Sequence, residues 1–100
     1  MDYKLNLQTG FYKKTAYNIK IEKHKMTLIP LNNSDIESIQ ILDKDITAIL
    51  VDDLKNPGIE IQTYSRNFIG TLDKDTNMMD LIILMKEYLN VDFIFIGGGE

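Results

Sequence analysis

Residues 77–89 read Asn77-Met78-Met79-Asp80-Leu81-Ile82-Ile83-Leu84-Met85-Lys86-Glu87-Tyr88-Leu89 and decide the fold, because this is the one long stretch whose apolar residues recur at helical spacing. Met78, Leu81, Ile82, Met85, Tyr88 and Leu89 fall three and four residues apart, which puts them on one helical face. Asp75-Thr76-Asn77 are good capping types and Asn90 suits the far end, so a helix is expected from about Asn77 to Leu89. Burying six such side chains contributes on the order of 10 kcal/mol before ordering entropy is subtracted. A helix this short is marginal alone in water, so it must dock. Met79, Ile83 and Leu84 carry the apolar surface beyond a single stripe, as if the helix lay in a deep groove or were covered by residues 91–96 or by another chain.

Upstream of the helix the apolar period is two. Tyr3, Leu5 and Leu7 alternate with Lys4, Asn6 and Gln8, as in a strand with one face in a core. Gly10 suggests a bulge after which Phe11 and Tyr12 continue the strand. Tyr17, Ile19 and Ile21 form the next inward row, and Lys23-His24-Lys25 is a turn into Met26–Leu31, with Pro30 at a strand end. After the polar loop Asn32-Asn33-Ser34-Asp35 come a short strand near 38–42 and the turn Asp43-Lys44-Asp45. Ile46–Val51 is apolar on both faces apart from Thr47, as expected of the deepest strand. Lys55-Asn56-Pro57-Gly58 is a turn, since proline presets one backbone angle and glycine accepts positive φ. Ile59–Thr63 and Phe68–Leu72 then pair across Ser65-Arg66-Asn67, which makes seven strands before the helix. Downstream, Val91–Ile96 is β-branched and aromatic and reads as an eighth strand. Gly97-Gly98-Gly99 reads as a flexible end. The expected organisation is one domain, 1–96, with a tail, 97–100.

Seven strands followed by one helix resemble the pleckstrin-homology superfold, and Tyr17–Leu89 is similar to its bacterial and GRAM-like branches. The hairpin Tyr17–Leu31, the strand Ile46–Val51, the hairpin Ile59–Leu72 and the helix Asn77–Leu89 carry the resemblance. It implies a mainly β, α+β domain: a seven-stranded, partly open barrel of two antiparallel sheets capped by the C-terminal helix, with Val91–Ile96 as an extra strand. Members that bind phosphoinositides place basic residues around the first hairpin and end it in basic-x-arginine. Here Lys13 and Lys14 precede Lys20-Ile21-Glu22, and Glu22 stands where the arginine is expected.

The chain has 100 residues, 44% hydrophobic and 26% charged, which suits a folded single domain rather than a disordered segment. No cysteine is present, so disulfides, thiolate metal sites and cysteine nucleophiles are excluded. The first ten residues hold no continuous apolar run, so no secretory leader is expected and the expected location is cytoplasmic. The net charge of −4 is unevenly spread. Residues 1–25 carry six lysines against Asp2 and Glu22, whereas the remainder is strongly acidic and opposes nucleic-acid binding.

Chemistry is sparse. His24 is the one histidine, flanked by Lys23 and Lys25 and part of no motif, so it reads as a solvated turn residue; a catalytic base would need an orienting carboxylate brought to it by the fold. Asp73, Asp75 and Asn77 match the opening of a calcium loop, but Met78 replaces its glycine and Leu84 its distal glutamate, so they read as helix-capping groups. Asp43, Asp45, Asp52 and Asp53 read as solvated loop acids. Gly97–Gly99 precedes no helix and so makes no phosphate loop, and Ser34, Ser38 and Ser65 lack nucleophile-elbow glycines. No catalytic residue, metal or cofactor is expected. The expected function is a non-catalytic interaction or assembly module, possessing a sheet edge or an apolar helix surface that binds a peptide or a second copy, with Met79, Ile83, Leu84, Ile94 and Ile96 as the candidate surface. The alternative is weak binding of an anionic membrane or phosphorylated headgroup through Lys13, Lys14, Lys20, Lys23 and Lys25.

Overall fold

The computed structural model describes residues 3–31, 35–52 and 57–96, the side chain of Ile96 excepted. The strands are β1 (Tyr3–Gln8), β2 (Lys14–Glu22), β3 (Lys25–Pro30), β4 (Ile39–Leu42), β5 (Ile46–Asp52), β6 (Gly58–Thr63), β7 (Asn67–Leu72) and β8 (Phe93–Ile96), with the helix α1 (Met78–Tyr88) between β7 and β8. A 3-10 turn, Asp43–Asp45, links β4 to β5. The protein is thus mainly β with one helix after the seventh strand.

All eight strands form one sheet in the order β4-β3-β2-β1-β7-β6-β5-β8. Two separate antiparallel sheets were expected. The sheet is continuous because β1 pairs on one side with β2, Leu5 opposite Tyr17, and on the other with β7, Leu5 opposite Leu72. It is mixed rather than antiparallel because β8, returning after α1, lies parallel to β5 with Ile49 opposite Phe93. Among the described residues β4 and β8 pair with each other nowhere, so the sheet is not closed into a barrel.

Alternation sets the core. Tyr3, Leu5, Leu7, Tyr17, Ile19, Met26, Leu28, Ile41, Ile49, Val51, Ile59, Ile61, Phe68 and Leu72 turn to one face and pack with Met78, Leu81, Ile82, Met85 and Leu89 of the helical segment. Asn77 caps α1, its side-chain oxygen accepting from the Asp80 N–H at 3.2 Å, and the Leu89 N–H closes the far end on the Met85 carbonyl at 2.8 Å. Tyr88, assigned by spacing to the inward face, is exposed at the last turn. Phe11 and Tyr12 do not prolong β1; residues 9–13 form the loop into β2, tied off by the Thr9 N–H on the Lys13 carbonyl at 2.9 Å. The double-sided look of β5 comes from an irregularity between Ile46 and Ala48, which shifts the inward phase so that Ala48 and its neighbour Ile49 are both buried. The tail 97–100, the loop residues 32–34 and the turn residues 53–56 lie outside the described residues.

Gly70 leaves no room for a side chain where β7 passes β1. A Cβ built on it would lie 2.7 Å from the Asn6 carbonyl oxygen and 2.8 Å from Leu5 Cδ1. The first of these is backbone and cannot swing aside. Gly70→Ala is therefore expected to destabilise the fold by about 1–3 kcal/mol, read as a lower urea midpoint; an unchanged midpoint would show that β1 and β7 separate freely.

Candidate interaction surfaces

β8 is an outer strand, and its polarity follows from its ladder. The Ile49 N–H donates to the Asp92 carbonyl at 2.9 Å, so in the alternating pattern of a parallel pair Phe93 and Phe95 turn their own N–H and C=O groups away from β5. Natural edges are commonly blunted by lysine, proline or a bulge. The strand Phe93-Ile94-Phe95-Ile96 has none of these.

The expected surface residues divide between the two faces of this edge. Met79 and Ile83 are exposed on the outward side of α1, and Leu84 is half-buried against the core. Ile94 is exposed on the opposite face of the sheet, away from the helix, and the side chain of Ile96 lies outside the described residues. Phe95, which spacing did not single out, joins the helix side: Lys86 Nζ sits 5.6 Å from the Phe93 ring centre and 5.7 Å from that of Phe95. Met79 and Ile83 on α1 and Phe95 on β8 are thus exposed apolar side chains on the helix side.

The five candidate lysines occupy two places. Lys13 and Lys14 lie at the β1–β2 loop, and Lys20, Lys23 and Lys25 lie around the β2–β3 turn at the other end of β2. Along β2 the groups stand roughly 20–30 Å apart, so one small headgroup cannot span both. Lys25 Nζ is 3.5 Å from Glu22 Oε1. In the β1–β2 loop Phe11 and Tyr12 are 94% and 101% exposed, with ring centres 6.3 Å apart.

His24 is exposed on its turn as expected, but Asp43 departs from the solvated reading and supplies the histidine with a carboxylate. His24 has φ of 65°, the left-handed region, and its N–H donates to the Tyr88 carbonyl at 2.8 Å. Its Nδ1 donates to Asp43 Oδ2 at 2.7 Å, and the same carboxylate accepts from the Asn90 N–H at 2.9 Å. The Asp43 N–H in turn donates to the His24 carbonyl at 3.0 Å. Asp43 is buried, and the Asn90 N–H first and the His24 side chain second hold its carboxyl below the usual 3.8 against the opposing effect of burial. Three segments, the β2–β3 turn, the 3-10 turn and the end of α1, are pinned at one point. Sequence reasoning missed this junction because Asp43 and Asn90 are 47 positions apart.

Asp73, Asp75, Thr76 and Asn77 line an open hollow of about 460 Å³ with Tyr3, Lys4, Asn18 and Leu31 at the start of α1. Burial, and secondarily the Asp80 charge, pushes the Tyr3 hydroxyl up from its ordinary value of 10.0. Among the described residues no three histidine, aspartate or glutamate side chains gather as a metal site, and no helix is long and apolar enough to cross a membrane. No family model, curated protein or solved structure matches the chain.

Proposed function

We propose that the chain is a non-catalytic interaction module of pleckstrin-homology-like architecture that accepts an extended strand on its β8 edge, with β8 of a second copy as the occupant. The strand order β4-β3-β2-β1-β7-β6-β5 with a helix after β7 supports the architectural part. The functional part rests on one observation, an uncharged outer strand whose Phe93 and Phe95 backbone groups point outward and whose Phe95 side chain is exposed. Main-chain hydrogen bonds supply the affinity in strand addition, and the flanking apolar side chains supply its preference. Two antiparallel copies of β8 satisfy each other's free groups about a two-fold axis, and such closed pairs are the commonest assemblies.

Phe95→Pro removes an N–H that points away from β5, so it blocks the edge while sparing the sheet's own ladder. Phe95→Ala removes the ring and keeps the N–H. In a background carrying Phe11→Ser and Tyr12→Ser, which removes the exposed loop rings, sedimentation velocity is expected to show reversible dimers of the chain that keeps Phe95, dimers weakened by the alanine variant and abolished by the proline variant, with matching far-UV circular dichroism throughout. Dimers that survive Phe95→Pro in that background, or a chain keeping Phe95 that stays monomeric in it, would overturn the edge as the interaction site.

A further inference from the structure

The outer face of β5, β6 and β7, turned away from the helix, carries a hollow of about 280 Å³ lined by Leu50, Asp52, Gly58, Glu60, Ile69 and Thr71, among others. Register explains it. Leu50 lies opposite Glu60, and Glu60 opposite Ile69, in one outward row, while Asp52, Gly58 and Thr71 form the next. Gly58 has no side chain to fill its place in that second row, so the floor is backbone, the sides are Leu50 and Ile69, and the rim carries Asp52 and Glu60. Glu60 is held in position, its Oε2 accepting from Gln62 Nε2 and from Asn67 Nδ2, each at 3.2 Å. The space admits one aromatic side chain and sets a carboxylate beside it.

The β1–β2 loop has the complementary chemistry: two fully exposed aromatic rings followed directly by Lys13 and Lys14. We infer that this loop of one copy seats in the Gly58 groove of a second copy, an aromatic ring of Phe11 or Tyr12 entering between Leu50 and Ile69 while Lys13 or Lys14 reaches Glu60. The charge imbalance along the sequence favours this pairing, since the basic share of the chain is concentrated in residues 1–25 and both rim acids lie outside it. The loop does not serve its own groove. The hairpin is closed by Thr9 on Lys13 and by the Thr9 and Thr15 hydroxyls 3.1 Å apart, and it projects beyond Gln8, whereas the groove floor lies level with Asn6, the partner of Thr71. This contact uses a surface separate from the β8 edge and stands or falls without it.

The test is run in the Phe95→Pro background, so that any association seen there owes nothing to the edge. Sedimentation velocity at about 50 mM and about 500 mM salt is expected to show association that weakens as the charges are screened. The loop variant Phe11→Ser with Tyr12→Ser, and the groove variant Ile69→Lys, are each expected to raise the dissociation constant at least about tenfold. Glu60→Gln, which keeps both side-chain hydrogen bonds and loses the charge, is expected to weaken association and flatten its salt dependence. Mixing the loop variant with the groove variant is expected to restore association, because one intact loop then meets one intact groove. Four results would overturn the inference: a monomer at low salt, association indifferent to both variants, a mixture no tighter than its parts, or binding of the loop to phosphatidylserine vesicles without self-association.

Discussion

Leu81→Ala is expected to lower the free energy of unfolding by about 3–5 kcal/mol, the range for leucine truncation in a core that cannot collapse around the gap. Leu81 is fully buried in the middle of the docked face of α1, between Met78 and Ile82 on one side and Met85 on the other, and its ring of neighbours comes from both the helix and the sheet. The helix has little reason to persist once that contact is loosened, because eleven residues are too few to hold a helix unaided. Ile83→Ala supplies the internal comparison. Ile83 lies on the outward side of the same helix, so its removal exposes no cavity, and alanine is the better helix former; the change should stay within about 0.5 kcal/mol of zero. Urea unfolding of both variants reads the difference directly, and equal losses would mean that α1 is not docked by the face described.

Asp43→Ala is expected to cost about 2–3 kcal/mol, since the Asn90 N–H and the exposed His24 imidazole together lose the charged carboxylate they share. The same residue sets a pH dependence. Its folded pKa is lowered, so the folded state binds the proton less readily than the unfolded chain does, and the carboxylate stabilises the fold fully above the unfolded value. That contribution is lost as pH falls from about 4 through the depressed folded value. Asp43→Asn, unable to titrate, should therefore be less stable than wild type at neutral pH and should lose less on acidification. Chemical denaturation at a series of pH values between about 2 and 7 compares the two curves. Parallel curves would remove Asp43 from the account.

What could be read from the sequence was whatever is local. The alternation of Tyr3, Leu5 and Leu7, the turn at Lys23-His24 and the cap at Asn77 each depend on neighbours within a few positions, and all three are in place. Phe11 and Tyr12 show the limit of the method, because an apolar pair beside a strand has the same composition whether it continues the strand or leaves it. The continuity of the sheet needed the pairing of Leu5 with Leu72, and the burial of Asp43 needed Asn90; neither partner is signalled at the other's position. The Gly58 groove is likewise a matter of register, visible only once Asp52, Gly58 and Thr71 lie side by side. The five lysines look like one cluster in sequence because β2 joins them, and they stand apart in space for the same reason.

Placing β1 between β2 and β7 also fixes an order of events during synthesis. The strands β1 to β4 can pair as they emerge, but the far side of β1 stays bare until Gly70, Thr71 and Leu72 have left the ribosome, and the apolar inner face stays open until Met85 and Leu89 follow. A nascent chain paused between those points presents an unfinished strand and an uncovered face together, the combination most prone to clumping. Completion of the fold then waits on the last third of the chain, and shielding Leu5 and Leu7 in the interval would guard the unfinished face.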